Sequence, residues 1–149
     1  MKKAFILISA LLFLLGCGGD SEPIAPSLEA RLSGSWTKGP IRLRYFDASG
    51  KMDFEDTVPY ENGMIYTFDR GQITATGGNG SGFVGIYRIL EIDGRQQVQI
   101  TVGYHTRYRR VVELTADRLV WESDFDNLDY LDQDWKTADK ALHIEEFTR

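Results

Sequence analysis

Cysteine, histidine and long apolar runs are all scarce in this chain of 149 residues. Its one cysteine, Cys17, excludes an intramolecular disulfide, so packing alone must stabilise the core. Its two histidines, His105 and His143, are too far apart in sequence to indicate a metal site, and we expect ordinary strand or surface residues. The apolar run from Ala4 to Leu15 is shorter than the roughly 20 residues that span a bilayer.

Basic residues are fewer than acidic ones. The chain has 17 lysines and arginines against 22 aspartates and glutamates, which gives a net charge of −5. No basic face is available to neutralise phosphates, so we expect no nucleic acid partner. The length suits a single domain with one hydrophobic core.

Recognisable catalytic patterns are also missing. No serine lies in a Gly-x-Ser-x-Gly context. The glycine-rich stretch 77–82 lacks the lysine and the following helix of a phosphate-binding loop, which favours a connection between strands. We therefore expect a protein that is not an enzyme and has no cofactor.

The N-terminus has the pattern of a secretory signal. Lys2 and Lys3 precede the apolar run 4–15, and small residues follow it. This length and charge are typical of a signal peptide, which we place at residues 1–16. Its removal takes the net charge from −5 to about −7.

The end of this signal resembles the lipobox of bacterial lipoproteins, carried by Leu14, Leu15, Gly16 and Cys17. The resemblance implies a lipid on Cys17 and therefore attachment to the membrane of a bacterial cell envelope. Gly18, where some lipoproteins have aspartate, implies the outer membrane. Residues 17–27 are then the lipidated cysteine and a flexible linker rich in Gly, Ser and Pro. An unmodified thiol is the alternative.

From Leu32 onward the apolar pattern has a period of two. Asp93-Gly94 between two apolar runs is a strong hairpin signal. We expect an all-β domain over residues 28–149, an antiparallel up-and-down barrel of about eight strands, with a short helix near Leu28–Leu32 and a turn of helix around Leu128–Trp135. The expected strands are 41–45, 64–68, 73–76, 83–92, 98–102, 108–114, 119–121 and 141–147.

Four short motifs resemble the lipocalin-like (calycin) domains of bacterial lipoproteins. They are Leu32-Ser-Gly-Ser-Trp36, the Tyr66-Thr-Phe68 and Gly71-Gln-Ile73 hairpin, Gly85-Ile-Tyr-Arg-Ile89, and Leu114-Thr-Ala-Asp-Arg-Leu-Val120. In such a domain we expect Gly34 to allow a tight corner and Trp36 to plug one end of the barrel. The resemblance also implies that a late arginine, for which Arg149 is the match, packs on that tryptophan.

A barrel of this size leaves room for side chains or one small ligand. Alternation predicts inward-facing ligand-binding candidates, which would otherwise fill the core: Leu43, Tyr45, Phe68, Phe83, Tyr87, Ile100 and Tyr104. If Val112 and Leu114 face inward, Arg110 does too, where it would suit an anionic headgroup. Pairing of Arg110 with a glutamate on the neighbouring strand is the alternative.

The stretch 122–134 is densely acidic. Its spacing fails the EF-hand pattern, since Leu128 stands at a ligand position. A solvated acidic loop is the favoured interpretation and calcium binding a minor one. We assign no metal ligands.

Two functions remain open at this stage. The first is a lipid-anchored protein that binds a small apolar or amphipathic ligand in its barrel. The second is a non-enzymatic assembly lipoprotein, whose filled barrel docks another envelope protein. A single enclosed pocket favours the first, and a large exposed apolar patch the second.

The lipid on Cys17 can be tested directly. We expect the full chain, expressed with an alkyne-labelled fatty acid, to incorporate the label, because a thioether-linked diacylglycerol needs the Cys17 thiol. Cys17→Ser should abolish incorporation, whereas the nearby Ser21→Ala should leave it unchanged. Equal labelling of wild type and Cys17→Ser would contradict the assignment.

Overall fold

The structure, a computed structural model, describes residues 26–60 and 63–149. The signal peptide, Cys17 and the linker up to residue 25 lie outside this part, so those expectations stay predictions. One short helix precedes nine strands: α1 (Leu28–Leu32), β1 (Gly34–Phe46), β2 (Met52–Val58), β3 (Ile65–Asp69), β4 (Gln72–Thr76), β5 (Gly82–Ile92), β6 (Arg95–Val102), β7 (His105–Leu114), β8 (Arg118–Asp132) and β9 (Asp134–Thr148).

Eight of the strands form a closed antiparallel barrel. Strands β3 to β9 pair in chain order, and β1 pairs with both β3 and β9. Gly34–Thr37 hydrogen-bond with β3, while Thr37–Phe46 pair with β9. Closure satisfies backbone groups that an open sheet would expose at its edges. The prediction of an all-β, antiparallel barrel is confirmed.

Tight turns connect the barrel strands where glycine follows a residue with positive φ. Asp93 (φ 52°) and Gly94 (φ 69°) join β5 to β6, and Arg70 (φ 44°) and Gly71 (φ 80°) join β3 to β4. Two consecutive left-handed residues match the twist of a hairpin. The Asp-Gly prediction is therefore confirmed, and the predicted helix at Leu28–Leu32 is also present.

Two features differ from the sequence prediction. β2 was not predicted, because Asp56 interrupts the alternation of Met52, Phe54 and Val58. Phe54 is the one member of the strand's seven residues that is not exposed. The expected helical turn at Leu128–Trp135 is wrong: β8 continues to Asp132, the chain reverses at Gln133 (φ 60°), and β9 begins at Asp134. The acidic stretch is thus strand and not loop.

These longer strands build a second sheet region beyond the barrel. We call it the extension: residues 41–46 of β1, β2, and the hairpin 124–142. Tyr45 stacks on Tyr130 with ring centroids 4.5 Å apart, and Phe54 lies 5.5 Å from Tyr130. Stacked aromatic rings of this kind stabilise a sheet face that has no second layer.

The alternation of side chains between the two faces is broken once in the β8–β9 hairpin, where the barrel passes into the extension. Ala138 and Ala141 pack in the same cluster although they are three positions apart on β9, an odd spacing that strict alternation would place on opposite faces. The break coincides with Asn127, which has φ 52° and faces the β9 segment between these alanines. Without it, one of the two alanines would point to the opposite face.

The helix α1 closes one end of the barrel. Leu32 and Trp36 are fully buried, and the Trp36 indole Nε1 donates to the Leu32 carbonyl at 2.7 Å. The Arg149 guanidinium lies 3.9 Å from the centre of the Trp36 ring and donates to the carbonyls of Arg31 and Ser33. Gly34, with φ 109°, adopts a conformation that side-chain-bearing residues avoid.

Within the described residues, no helix is long and apolar enough to cross a membrane.

The contact of Arg149 with Trp36 should be measurable as stability. Arg149→Ala removes a cation–π contact and hydrogen bonds to backbone carbonyls, so we expect unfolding to become easier by about 1–2 kcal/mol. Urea titration followed by circular dichroism measures this loss. Arg88→Ala, an exposed residue on β5, is the control and should stay within about 0.5 kcal/mol of wild type. Equal changes in unfolding free energy for the two variants would show that the contacts of Arg149 do not stabilise the barrel.

Candidate functional site

A cavity of about 380 Å³ opens at the barrel end opposite α1. β7 establishes the direction: its first residue, His105, lines the cavity, whereas its last, Leu114, accepts a hydrogen bond from Arg31 of α1. The volume falls within the range of about 300–1,000 Å³ of small-molecule pockets. The lining residues are Lys38, Tyr66, Phe83, Ile100, Val102, His105, Arg107, Arg109, Trp121, His143 and Glu145.

Apolar and basic side chains face each other across the β6–β7 ladder. Val102 pairs with His105, and Ile100 pairs with Arg107. Because residues two apart on a strand share a face, β7 presents His105, Arg107 and Arg109 to the cavity in one column. Beside that column, β6 presents only aliphatic side chains. A ligand bound along the boundary between β6 and β7 would contact the basic side chains of β7 on one side and the aliphatic side chains of β6 on the other.

A buried carboxylate anchors the inner part of the cavity. Glu145 is 4% exposed, and the two cations that bind it, Lys38 and Arg109, are each 8% exposed. Lys38 Nζ forms an ion pair with Glu145 Oε1, and Arg109 Nε lies 3.2 Å from Oε2. Trp121 Nε1 also donates to Oε2, at 2.7 Å. Burial of a charge at this depth requires such partners.

These contacts set the ionisation of Glu145. Burial acts to raise the pKa of its carboxyl, but the charges of Lys38 and Arg109 and the Lys38 hydrogen bond together hold that pKa below its usual value. The carboxylate therefore contributes stability above its unfolded-state pKa, and the contribution is lost as the pH falls through the lower folded-state pKa. At neutral pH the triad of Glu145, Lys38 and Arg109 carries one net positive charge.

Two further titratable side chains line the cavity. Burial lowers the pKa of His143, against the opposing effect of Glu145, so its imidazole is neutral at pH 7. Burial raises the pKa of the Tyr66 phenol, and the nearby Glu145 carboxylate adds to that rise. Tyr66 therefore stays protonated. Together these groups offer hydrogen-bond donors and one acceptor ring to a ligand.

Only some of the predicted ligand-binding residues lie at this cavity. Phe83 and Ile100 line it. Phe68 and Tyr87 fill the barrel core, 1% and 3% exposed. Leu43 and Tyr45 face the extension cluster. The inward orientation expected of Tyr104 is wrong: it lies in the β6–β7 turn and is fully exposed, because the strand ends before it.

The inward orientation expected of Arg110 is also wrong. Its guanidinium forms ion pairs with Glu122 and Asp124, each at 3.0 Å, on the outer face. The inference from Leu114 failed because Val112 is an extra residue: Val111 pairs with Trp121 and Glu113 with Val120. Such a bulge shifts alternation by one residue, so the inward arginine is Arg109. The alternative, cross-strand pairing with a glutamate, is what the structure contains.

Sequence reasoning missed most of the polar lining. Both histidines, expected to be ordinary residues, line the cavity, as do Lys38 and Arg109. A usable signal existed for Glu145, since it lies two residues before the buried Phe147 and therefore shares its face. Nothing in the sequence shows that β1, β7 and β9 bring their charges together.

The acidic stretch 122–134 forms pairs with basic residues. Asp124 lies 2.9 Å from Lys140 Nζ, and Asp132 lies 2.9 Å from Lys136 Nζ. Within residues 26–60 and 63–149, no group of three or more His, Cys, Asp or Glu side chains is arranged to hold a metal ion. The calcium interpretation gains no support from this geometry.

The fold and the cavity define a class: a closed antiparallel β-barrel with a half-polar, half-apolar mouth. Comparisons with protein-family models, with curated proteins and with solved structures found no match.

Removal of the Glu145 charge should be costly. Glu145→Gln leaves Lys38 and Arg109 buried without a counter-charge, so we expect a loss of about 3–5 kcal/mol in unfolding free energy at pH 7. The difference in unfolding free energy between wild type and Glu145→Gln should become smaller as the pH falls through the folded-state pKa of Glu145, because the wild-type carboxyl then becomes neutral as well. Urea titration across pH measures both effects.

Glu122→Gln is the matched control for this experiment. Glu122 also pairs with an arginine, but at the outer face, where ion pairs contribute about 0–1 kcal/mol. Equal losses of unfolding free energy for the two variants would show that the buried triad contributes no more to stability than the ion pair on the outer face.

Proposed function

We propose that this chain is a lipid-anchored protein of the bacterial envelope whose lipocalin-like barrel binds a small amphipathic ligand in its mouth. The observation that carries the proposal is the cavity at the barrel end opposite α1, with Phe83, Ile100 and Val102 on one side and charged side chains on the other. Small-molecule sites combine an apolar surface with polar groups that fix the orientation of the ligand, and this cavity has both, with a larger polar share.

The lipocalin-like part of the proposal rests on the closed end. The Gly34 corner, the buried Trp36 and the arginine stacked on its ring are the three elements that the family resemblance implies. Arg149 supplies that arginine from the last position of the chain. These residues support the barrel and do not touch the cavity lining.

The position of α1 suits a tether on Cys17. The described chain enters the barrel at the end closed by α1, and the cavity opens at the other end. A lipid attached upstream of α1 leaves the mouth accessible to the aqueous compartment. We place the anchor in the outer membrane, on the basis of Gly18 after the cysteine.

A docking role is the second candidate, and one observation favours it. Leu131 and Trp135 pair across the tip of the β8–β9 hairpin and are 55% and 76% exposed. Tryptophan is enriched among the residues that contribute most of the binding energy between proteins. Native mass spectrometry of the full chain, purified gently from cells, separates the two functions: a small bound mass supports the carrier and a bound protein supports docking.

A variant that fills the mouth tests the carrier function. Val102→Trp places a large side chain in the cavity, so we expect the small bound mass to disappear from the native spectrum. Val84→Trp adds the same side chain to the outer face of β5, where Val84 is 61% exposed, and should retain the ligand. Circular dichroism confirms that both variants fold. Retention of the ligand by a folded Val102→Trp would contradict the proposal.

A further inference from the structure

We propose that the mouth selects amphipathic ligands that carry an anionic group, and that Arg107 on β7 binds that group. This inference rests on the proposed function, because it names the class of ligand that the same cavity takes. It follows from the charge balance of the lining, from the pairing of each cation, and from the neighbours of Arg107 on the sheet.

The lining is cationic in a chain that is acidic as a whole. Among the described lining residues, Lys38, Arg107 and Arg109 face one carboxylate, Glu145, which gives two more positive than negative charges. The whole chain has a net charge of −5. The sign of the charge in this cavity is therefore opposite to the net charge of the chain. A cationic ligand would be repelled there, and an anionic one attracted.

The three cations are not equivalent. Lys38 and Arg109 both bind Glu145, and Arg109 Nη1 also donates to the Ser123 hydroxyl. Arg107 forms no ion pair with any acidic residue in the described part of the chain. It is exposed at the mouth, whereas the other two are buried. Its five N–H donors are available to an incoming carboxylate or phosphate.

The surroundings of Arg107 fix where the rest of the ligand lies. Ile100 is its direct cross-strand partner, and Arg109 follows two residues along the same face, about 7 Å away. Phe83 and Val102 extend the apolar surface beyond Ile100 within the cavity. An anion on Arg107 therefore places the attached hydrocarbon against these apolar side chains.

The fixed triad makes this arrangement compatible with an anion. Glu145 would repel a negative group if it were free, but its two oxygens accept hydrogen bonds from Lys38 and Trp121, and it forms an ion pair with Arg109. The triad as a whole is positive by one charge. His105 at the end of the β7 column is a further hydrogen-bonding group.

Four compounds with one chain length test the proposal: octanoic acid, octyl phosphate, octanol and octylamine. Each is titrated calorimetrically into the full chain held in lipid nanodiscs, and the heat of titration into empty discs is subtracted. We expect the two anions to bind at least tenfold more tightly than the alcohol, and the amine to bind most weakly. A charge-assisted hydrogen bond is strong enough for such a difference.

Arg107→Gln should reduce the affinity for both anions at least tenfold and leave that for octanol unchanged. Arg88→Gln, on the outside of β5, makes the same change in net charge and should alter none of the four affinities. Circular dichroism and melting temperature establish that each variant folds.

The outcomes separate this inference from the function on which it rests. If octanol binds as tightly as the anions, or Arg107→Gln leaves anion affinity intact, the inference is wrong while the carrier function stands. If none of the four compounds binds to wild type, both are wrong. If only one anion binds, the test identifies whether carboxylate or phosphate is the group that Arg107 takes.

Discussion

The pairing of β1 with β9 closes the barrel, and both the cavity and the extension require it. β1 hydrogen-bonds with β3 at its beginning, and with β9 and β2 further along. This single strand therefore closes the barrel and also carries the extension. Closure brings Lys38 of β1 next to Glu145 of β9, which creates the buried triad. Without that pairing the sheet would keep two open edges, and the cavity would have no wall on this side.

The charge distribution shows how one barrel can be acidic outside and cationic within its mouth. Outside, several arginines pair with carboxylates, as in the pairs of Arg110 with Glu122 and of Arg44 with Glu55. Inside, Lys38 and Arg109 share one carboxylate and Arg107 has none among the described residues. The bulge at Val112 determines which of Arg109 and Arg110 faces inward, because it shifts the alternation of β7 by one residue.

The barrel and the extension are held by different arrangements of aromatic side chains. In the barrel, Tyr66, Trp121 and Phe147 meet edge to face, with the Trp121 and Phe147 centroids 4.7 Å apart. In the extension, Tyr45 and Tyr130 stack in near-parallel planes. Enclosure inside a barrel lets rings approach from several strands, whereas a single sheet face offers only neighbours side by side.

The class of fold and its local turns can be predicted from the sequence. Period-two alternation and the Asp93-Gly94 and Gly71 turns follow from backbone preferences that act over a few residues, which is why the closed antiparallel barrel and the short helix were predicted. β2 and the long hairpin were not, since acidic residues interrupt their apolar pattern and most of their side chains are exposed. The candidate site was predicted only at Phe83 and Ile100, where an apolar residue inside an alternating strand must face the interior.

The tertiary structure alone decided the polar half of the site. Alternation predicts which face of the sheet a residue occupies only while the strand is regular. The bulge at Val112 and the left-handed residue Asn127 each change the alternation that follows. The partners of a buried charge come from strands that are distant in sequence, as Lys38 and Glu145 show. Local sequence carries no information about such pairings, because they arise only when the barrel closes.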